Sequence, residues 1–167
     1  MNRVRVAWLG FAVIALHNLE EAITTPAWIA AHAGELQARF GVERIPAANA
    51  EAFHMSLTVL TVGILFWIAI ASRSRDRSFG VYSIVFLFAV FFCNALVPHV
   101  AGVVLLGRYV PGALTAVLLV IPFCIFWSIR AFREGWVSAT GFAVTVAVAT
   151  AFYLLAVGPL LGLMSGG

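Results

Sequence analysis

Three ionisable side chains stand close together near the end of the first apolar stretch of the chain. His17, Glu20 and Glu21 belong to the sequence His-Asn-Leu-Glu-Glu, which follows directly after the apolar run 6–16. Residues three and four positions apart share one face of an α-helix, so the imidazole and both carboxylates project from the same side. A single acid near the middle of a membrane-spanning helix costs about 2.5–3.5 kcal/mol. A chain that carries three such groups is expected to use them in binding or catalysis.

Other apolar stretches also carry histidines and carboxamide or carboxylate groups close to one of their ends. Glu51 and His54 lie at positions i and i+3 at the start of the second stretch, and Asn94 and His99 lie late in the third. If successive stretches cross a membrane in alternating directions, a rise of about 1.5 Å per residue brings all of them to the depth of His17. We therefore expect one polar layer in the outer half of the membrane.

Three imidazoles and three carboxylates on facing helices are suited to binding one or two divalent metal ions. The Glu-x-x-His spacing of Glu51 and His54 is the one that di-iron carboxylate bundles use, and a zinc ion bound by two or three histidines and one carboxylate fits equally well. The predicted metal ligands are His17, Glu21, His54 and His99. Glu20 or Glu51 would be the remaining ligand or the general base that acts on a bound water molecule.

Two further polar side chains are expected in the same layer. Asn94 and His99 are five residues apart and would be splayed by about 140° on an ideal helix, but a kink at Pro98 can turn both toward one pocket. The hydroxyl of Tyr153, on the fifth stretch, can donate to a carboxylate or a substrate, or simply join two helices. The predicted catalytic residues are Glu20, Glu51, Asn94 and Tyr153. A hydrogen-bond and ion-pair network that only locks the bundle is the alternative for the whole set.

The elements that must position these side chains are membrane-spanning helices. The 167 residues are 63% hydrophobic and only 10% charged, with a mean hydropathy of +1.04, whereas soluble domains are about half apolar and a quarter charged. About 20 apolar residues cross a bilayer as a helix. We predict an all-α, polytopic integral membrane protein, a single domain over residues 1–167. Its five transmembrane helices are predicted at 5–24, 50–71, 79–106, 111–132 and 137–164.

The arginines predict how the bundle is oriented. Seven of the ten lie before the first, after the second or after the fourth stretch, and the positive-inside rule makes that side cytoplasmic. The N-terminus is then inside and the C-terminus outside. The long loop between the first two spans is outside, where a short amphipathic helix over about 26–40 is predicted, with Thr25 as N-cap and Pro26 at the first helical position. Such a helix could cover the polar layer as a lid.

Several segments of the chain resemble the HXXEE domain family of bacterial and archaeal membrane proteins. The resemblance rests on the motif at 17–21, on the segments 94–99 and 108–112, and on Pro122. It adds weight to His17, Glu20, Glu21 and His99. The family's function is uncharacterised, and the resemblance implies an enzyme only because the family is presumed enzymatic from its His and Glu pattern. It supplies neither a substrate nor a metal. The segment 108–112, with Pro-Gly after Tyr-Val, is interpreted as a tight turn that leads into the fourth span.

These observations together predict a metal-dependent membrane enzyme, of hydrolase or oxidoreductase type, that acts on a lipophilic substrate and uses zinc or iron. A metal-free acid–base isomerase or cyclase of an isoprenoid or sterol-like substrate is one alternative, because a buried Glu can protonate an alkene. A non-enzymatic lipid- or metal-binding membrane protein is the other. The expected partners are membrane lipid and the lipophilic substrate, with no nucleic acid, since no basic cluster accompanies a reading motif. We expect a multi-pass protein of the bacterial inner membrane, and the sequence leaves oligomerisation open.

Overall fold

The computed structural model describes residues 2–40, 50–75 and 77–157, and nearly all of them are helical. The α-helices are α1 (Arg3–Phe40), α2 (Ala50–Arg73), α3 (Arg77–Asn94), α4 (Ala101–Leu106), α5 (Ala113–Thr115), α6 (Ile121–Arg133) and α7 (Ala139–Val157). Two π-helical segments, Ala95–Val100 and Ala116–Val120, join α3 to α4 and α5 to α6. The described residues contain no strand, which confirms the predicted all-α class.

Among the described residues, five helical units are long and apolar enough to cross a membrane, as the sequence predicted. We call them spans 1 to 5, with the bounds Arg3–Arg39, Ala50–Arg73, Ser78–Leu106, Ala113–Arg133 and Ala139–Ala156. Span 3 contains α3, the first π-helical segment and α4, and span 4 contains α5, the second π-helical segment and α6. Residues 158–164 of the predicted fifth span lie outside the described residues. The chain is therefore a membrane protein built from five apolar helices.

Span 1 does not end where the sequence predicted, because α1 continues to Phe40 as one helix of 38 residues. Pro26 lacks the N–H that would donate to the carbonyl of Ala22. The Nε2 atom of His54 takes its place at 2.8 Å from that carbonyl oxygen. Thr25, predicted as an N-cap, lies within the helix and is buried, and its hydroxyl has no hydrogen-bond partner among the described residues. The prediction of a separate outer helix over 26–40 was wrong, because His54 of span 2 bonds to the Ala22 carbonyl that Pro26 leaves without a donor.

Span 3 is interrupted at Pro98, as its sequence predicted. Val97 has extended backbone angles, φ −134° and ψ 117°, between helical neighbours, and the Val97–Pro98 peptide bond is cis. The hydroxyl of Tyr153 on α7 donates to the carbonyl of Val97. The extended angles of Val97 therefore interrupt the regular helix between Asn94 and His99.

Aromatic packing holds spans 1, 3 and 4 together away from the polar layer. Gly10 of α1 lies against the rings of Phe88 and Phe123, where a β-carbon would approach within 2.7 Å of the Phe123 ring. Phe88 in turn packs edge-on against Phe123 and Trp127, with ring centroids 5.1 and 5.5 Å apart. The contacts of α3 extend to α1, α2, α6 and α7. This packing fixes the spacing of the helices that carry the polar residues.

Candidate metal centre

Two histidines and one carboxylate meet between spans 1 and 3. One nitrogen each of His17 and His99 and a carboxylate oxygen of Glu21 lie within 4.8 Å of one another. The His17 side chain is fully buried and His99 is 2% exposed, while the Glu21 side chain is 18% exposed. The two imidazole rings are nearly perpendicular, with centroids 4.7 Å apart. We call these three residues the triad; in the described part of the chain no other three His, Cys, Asp or Glu residues are so placed.

The hydrogen bonds of His99 determine which of its nitrogens faces the triad. Its Nδ1 lies 2.7 Å from the carbonyl oxygen of Pro111. A carbonyl only accepts, so Nδ1 carries the hydrogen and Nε2 of the neutral ring has a free lone pair. This Nε2 lies 3.4 Å from Oε1 of Glu21 and 3.2 Å from Nδ2 of Asn94. His99 is thus held with its acceptor nitrogen toward the carboxylate.

His17 is oriented in the same sense by a different partner. Its Nδ1 lies 2.8 Å from Oγ1 of Thr115, and the Thr115 hydroxyl donates to Oε2 of Glu20 over 2.5 Å. On the other side of the ring, Nε2 lies 3.4 Å from Nδ2 of Asn94. Both imidazoles therefore present Nε2 to the space beside Asn94. Side chains that fix a ring through its second nitrogen are typical of histidines that bind metals.

Glu20 has a different environment from Glu21, although the two are adjacent in sequence. Its Oε1 accepts a hydrogen bond from the Tyr109 hydroxyl at 2.6 Å and from the Leu114 N–H at 3.4 Å. Its Oε2 accepts from the Thr115 N–H at 2.8 Å in addition to the Thr115 hydroxyl. Burial raises the pKa of Tyr109, and so does the hydrogen bond that it donates to Glu20. Both oxygens of Glu20 are occupied, so it is not available as a metal ligand in this arrangement.

The turn 107–112 supplies most of the groups that hold the triad. It provides the hydroxyl of Tyr109, the carbonyl of Pro111 and, at Gly112, room for the His99 ring. Gly112 has φ 80°, and a β-carbon there would lie 2.7 Å from Nδ1 of His99 and 3.1 Å from Cγ of Glu21. Only glycine permits both the backbone conformation and this close approach.

The extension of α1 beyond Pro26 in turn fixes the turn 107–112. The indole N–H of Trp28 donates to the carbonyl of Tyr109 over 3.0 Å. Glu35 forms ion pairs with Arg108 at 2.9 Å and with Arg39 at 3.3 Å. The segment over 26–40, for which a separate lid was one possibility, is therefore a continuation of span 1 that is bonded to the turn.

Asn94 and Tyr153, both predicted as catalytic residues, occupy different positions relative to the triad. Asn94 lies beside both histidines, with its amide nitrogen shared between their Nε2 atoms. Tyr153 is buried, and its hydroxyl lies 3.5 Å from Oδ1 of Asn94 while it donates to the carbonyl of Val97. Asn94 can therefore contact a ligand of the triad, whereas Tyr153 reaches it only through Asn94. Their catalytic roles stay predictions.

The structure does not bring Glu51 and His54 to the triad. The His54 ring is exposed and bonded to the carbonyl of Ala22, and Glu51 is also exposed. Their positions along the chain were used to estimate their depth. Depth alone does not give the direction in which a side chain projects around the helix axis. The predicted roles of His54 as a ligand and Glu51 as a base have no support in this geometry.

Four residues of the site were not identified from the sequence as functional. Thr115, Tyr109, Pro111 and Gly112 hold the side chains of the motif, yet 108–112 was interpreted only as a tight turn. Their position along the chain is the signal that could have identified them. The polar turn lies just before span 4 and the isolated Thr115 lies at its start, at the end of the bundle that carries the motif. A hydroxyl one helical turn into an apolar span is otherwise common between helices.

Comparison with known proteins agrees with the motif. A family described as "Protein of unknown function with HXXEE motif" matches residues 8–127, a range that contains the triad, Asn94 and Thr115 but not Tyr153. "Uncharacterized protein YrkK" of Bacillus subtilis (strain 168) is 31% identical over 118 residues, which cover 70% of this chain and 68% of that protein. No solved structure matches the chain. The protein belongs to the HXXEE family.

Proposed function

We propose that the protein is a metal-dependent membrane enzyme in which His17, Glu21 and His99 bind one zinc or iron ion. The observation that carries the proposal is the convergence of one nitrogen each of His17 and His99 and a carboxylate oxygen of Glu21 within 4.8 Å of one another. Ligand atoms at about 2.0–2.1 Å from a tetrahedral zinc ion are about 3.3–3.5 Å apart. Small side-chain rotations would close the triad to that geometry.

The donor set is compatible with two reaction types. Two histidines and one carboxylate serve both catalytic zinc sites and non-haem iron sites, and three protein ligands leave positions open for water or substrate. When bound, such an ion would supply Lewis-acid activation of a substrate oxygen or of a water molecule. Because Glu20 is fully hydrogen-bonded and His54 lies elsewhere, the described donors suit one ion rather than two.

The chain's own residues would prepare this site before any ligand arrives. Pro111 and Thr115 hold the two imidazoles through Nδ1, so that neither ring has to change its tautomer on binding. The Asn94 amide nitrogen lies against Nε2 of both histidines, and when an ion took its place there the amide could bind a substrate oxygen. Such pre-oriented donors reduce the reorganisation that catalysis would otherwise need.

A lipophilic substrate is favoured by an apolar cavity of about 600 Å³ between spans 3, 4 and 5. Two of its polar groups are paired: Cys93 lies 3.6 Å from the Thr150 hydroxyl, and the Cys124 thiol donates to the carbonyl of Phe88. The buried Nε1 of Trp127 has no hydrogen-bond partner among the described residues. The lining extends along span 3 to Leu96, two residues beyond Asn94. The described residues that line the cavity include neither Asn94 nor a member of the triad, so the reacting end of a bound substrate would have to extend beyond Leu96 to reach the proposed metal site. We assign the triad to the outer half of a bacterial inner membrane, because arginines cluster at the opposite ends of the spans.

Metal analysis of variant proteins tests the proposal. The chain offers matched controls, since His32 and His54 are histidines near the same end of the bundle that do not belong to the triad. We expect about one equivalent of zinc or iron in the wild type, in His32→Ala and in His54→Ala. His17→Ala, Glu21→Gln and His99→Ala should each retain less than about 0.2 equivalents, because metal affinity depends on every ligand. Added cobalt(II) would report the ligand field by its visible absorption.

Two outcomes would refute this assignment. One is a wild-type protein that binds less than about 0.2 equivalents of any transition metal after purification and reconstitution. The other is equal loss of metal from His54→Ala and His17→Ala. Helical circular dichroism and size-exclusion profiles of each variant distinguish loss of the site from loss of the fold.

A metal-free acid–base enzyme is the second candidate, and one contact favours it. Oε1 of Glu21 and Nε2 of His99 face each other at 3.4 Å, and without a cation between them they would share a proton. Such a pair could protonate an alkene of an isoprenoid and accept a proton in return. Conversion of an isoprenoid by chelator-treated protein, abolished by Glu21→Gln, would select this function over the metal-dependent one.

A further inference from the structure

The two adjacent carboxylates of the motif point to different spans. Successive residues of a helix are rotated by about 100°, so Glu21 faces His99 of span 3 while Glu20 faces the start of span 4. In the described part of the chain Glu20 forms no hydrogen bond with a member of the triad, yet it is connected to His17 through one hydroxyl group, that of Thr115. The role of Glu20 therefore depends on what this hydroxyl can do.

The hydrogen atoms of this connection can be assigned without ambiguity. The Thr115 hydroxyl has one proton, and the two groups besides His17 within reach are Oε2 of Glu20 at 2.5 Å and the carbonyl of Gly112 at 3.3 Å. An ionised carboxylate only accepts, and the 2.5 Å contact to Oε2 of Glu20 takes the Thr115 proton, which therefore points away from His17. The Thr115 oxygen can then only accept from the His17 ring, which requires the hydrogen to be on Nδ1.

We propose that Glu20, acting through Thr115, is a positioning residue that fixes the tautomer of His17. With the hydrogen on Nδ1, the Nε2 lone pair faces the space shared with Glu21 and His99. Without the hydroxyl, the opposite tautomer becomes accessible, because the Asn94 amide can turn its oxygen toward a hydrogen on Nε2. The ring would then present a hydrogen to the triad instead of a lone pair.

The surroundings of Glu20 suit this role. Its carboxylate is held by the Tyr109 hydroxyl and by backbone N–H groups at the beginning of span 4, where the helix dipole also favours negative charge. An anchored carboxylate at the end of a short donor chain orients an imidazole in the same way as the third member of a catalytic triad. The motif thus contains one acid that faces the triad and one that orients its first histidine.

Two substitutions of Thr115 test the inference, which rests on the proposed metal site only where metal affinity is measured. Thr115→Val keeps the side-chain shape and removes the hydroxyl, whereas Thr115→Ser keeps the hydroxyl. In metal-free protein labelled with ¹⁵N-histidine, at about pH 8 where imidazoles are neutral, we expect His17 with its hydrogen on Nδ1 in the wild type and Thr115→Ser. In Thr115→Val the tautomer with the hydrogen on Nε2 should appear.

Zinc titration of the same proteins gives a second measurement. Loss of an orienting partner lowers metal affinity about 10–100-fold, so zinc should bind that much more weakly to Thr115→Val and normally to Thr115→Ser. Thr145→Val is the control, because its hydroxyl bonds to the carbonyl of Gly141 on span 5. His99 is an internal control, since its Nδ1 donates to Pro111 and its tautomer should not change.

The possible outcomes separate this inference from the proposed function. A wild type in which His17 carries its hydrogen on Nε2, or a Thr115→Val protein with unchanged tautomer and zinc affinity, overturns the inference. A wild type that binds neither zinc nor iron but shows the expected tautomers supports the inference and refutes the metal site. If Thr115→Val does not fold, Glu20→Gln removes the anchoring charge with little change of shape. Unchanged His17 signals in that variant would also overturn the inference.

Discussion

A β-carbon added at Gly112 would collide with the side chains of His99 and Glu21 and so disturb the triad. The substitution Gly112→Ala places that atom 2.7 Å from Nδ1 of His99 and 3.1 Å from Cγ of Glu21. The ring must move, and its hydrogen bond to the carbonyl of Pro111 breaks. Gly107→Ala is the matched control, because Gly107 also has positive φ, 62°, but nothing lies within 4 Å of its added β-carbon. The two variants share the backbone cost and differ in the collision.

The magnitudes follow from these two contributions. A left-handed backbone costs an alanine about 1–2 kcal/mol, which is the whole loss of unfolding free energy expected for Gly107→Ala. Breaking the buried His99–Pro111 hydrogen bond adds about 1–3 kcal/mol, so Gly112→Ala should lose roughly 2–5 kcal/mol in all. Zinc affinity should fall about 10–100-fold in Gly112→Ala, because His99 loses the partner that orients it, and stay unchanged in Gly107→Ala.

Unfolding in mixed detergent micelles and zinc titration measure the two effects on the same samples. The difference between the variants, rather than either value alone, reports the collision at His99. Equal destabilisation of Gly107→Ala and Gly112→Ala, together with equal zinc affinity, would show that the turn does not hold His99 as described. A Gly112→Ala protein as stable as the wild type would refute the packing of the turn against the ring.

Three further predictions concern single contacts of the bundle. His54→Ala should cost about 0.5–1.5 kcal/mol of unfolding free energy in the wild type and nearly nothing in a Pro26→Ala background, which restores the backbone donor; equal costs in both backgrounds would exclude the capping role. Asn18 donates to Thr61 over 2.7 Å, so Asn18→Leu and Thr61→Val should each cost about 0.6 kcal/mol, and the double variant no more than the larger single loss. Because the pKa of Tyr109 is raised, the wild type keeps this residue's contribution to stability below about pH 10 and loses it as the pH rises further. Tyr109→Phe should therefore lose less stability than the wild type as the pH rises above about 10, and an identical pH dependence would argue against the hydrogen bond from the Tyr109 hydroxyl to Glu20.

The helices could be predicted because bilayer thickness imposes a length on every span. The predicted second span, 50–71, and fourth span, 111–132, end within two residues of the observed ones. The end of the first span could not be predicted, since the partner of the carbonyl that Pro26 frees is His54, 32 residues away. A proline signals a helix boundary only when no other element satisfies that carbonyl.

The site could be predicted in its depth but not in its orientation around each helix. The layer estimate correctly brought His17, Asn94 and His99 close together, because rise per residue is constant along regular helices. The same estimate included His54, whose side chain projects elsewhere. Thr115 escaped notice because its role arises from the approach of span 4 to span 1, which depends on the turn geometry at Gly112 and not on any local pattern.

The distances along the chain between the partners of His17 have a consequence for biosynthesis. Its ring is contacted by Asn94, 77 residues later, and by Thr115, 98 residues later. A nascent chain with only spans 1 and 2 in the membrane therefore displays the complete motif without any of the groups that orient it. The site comes into existence only when span 4 has been inserted and packed. Grafting the five-residue motif onto another helix would accordingly transfer the residues without the groups that orient them.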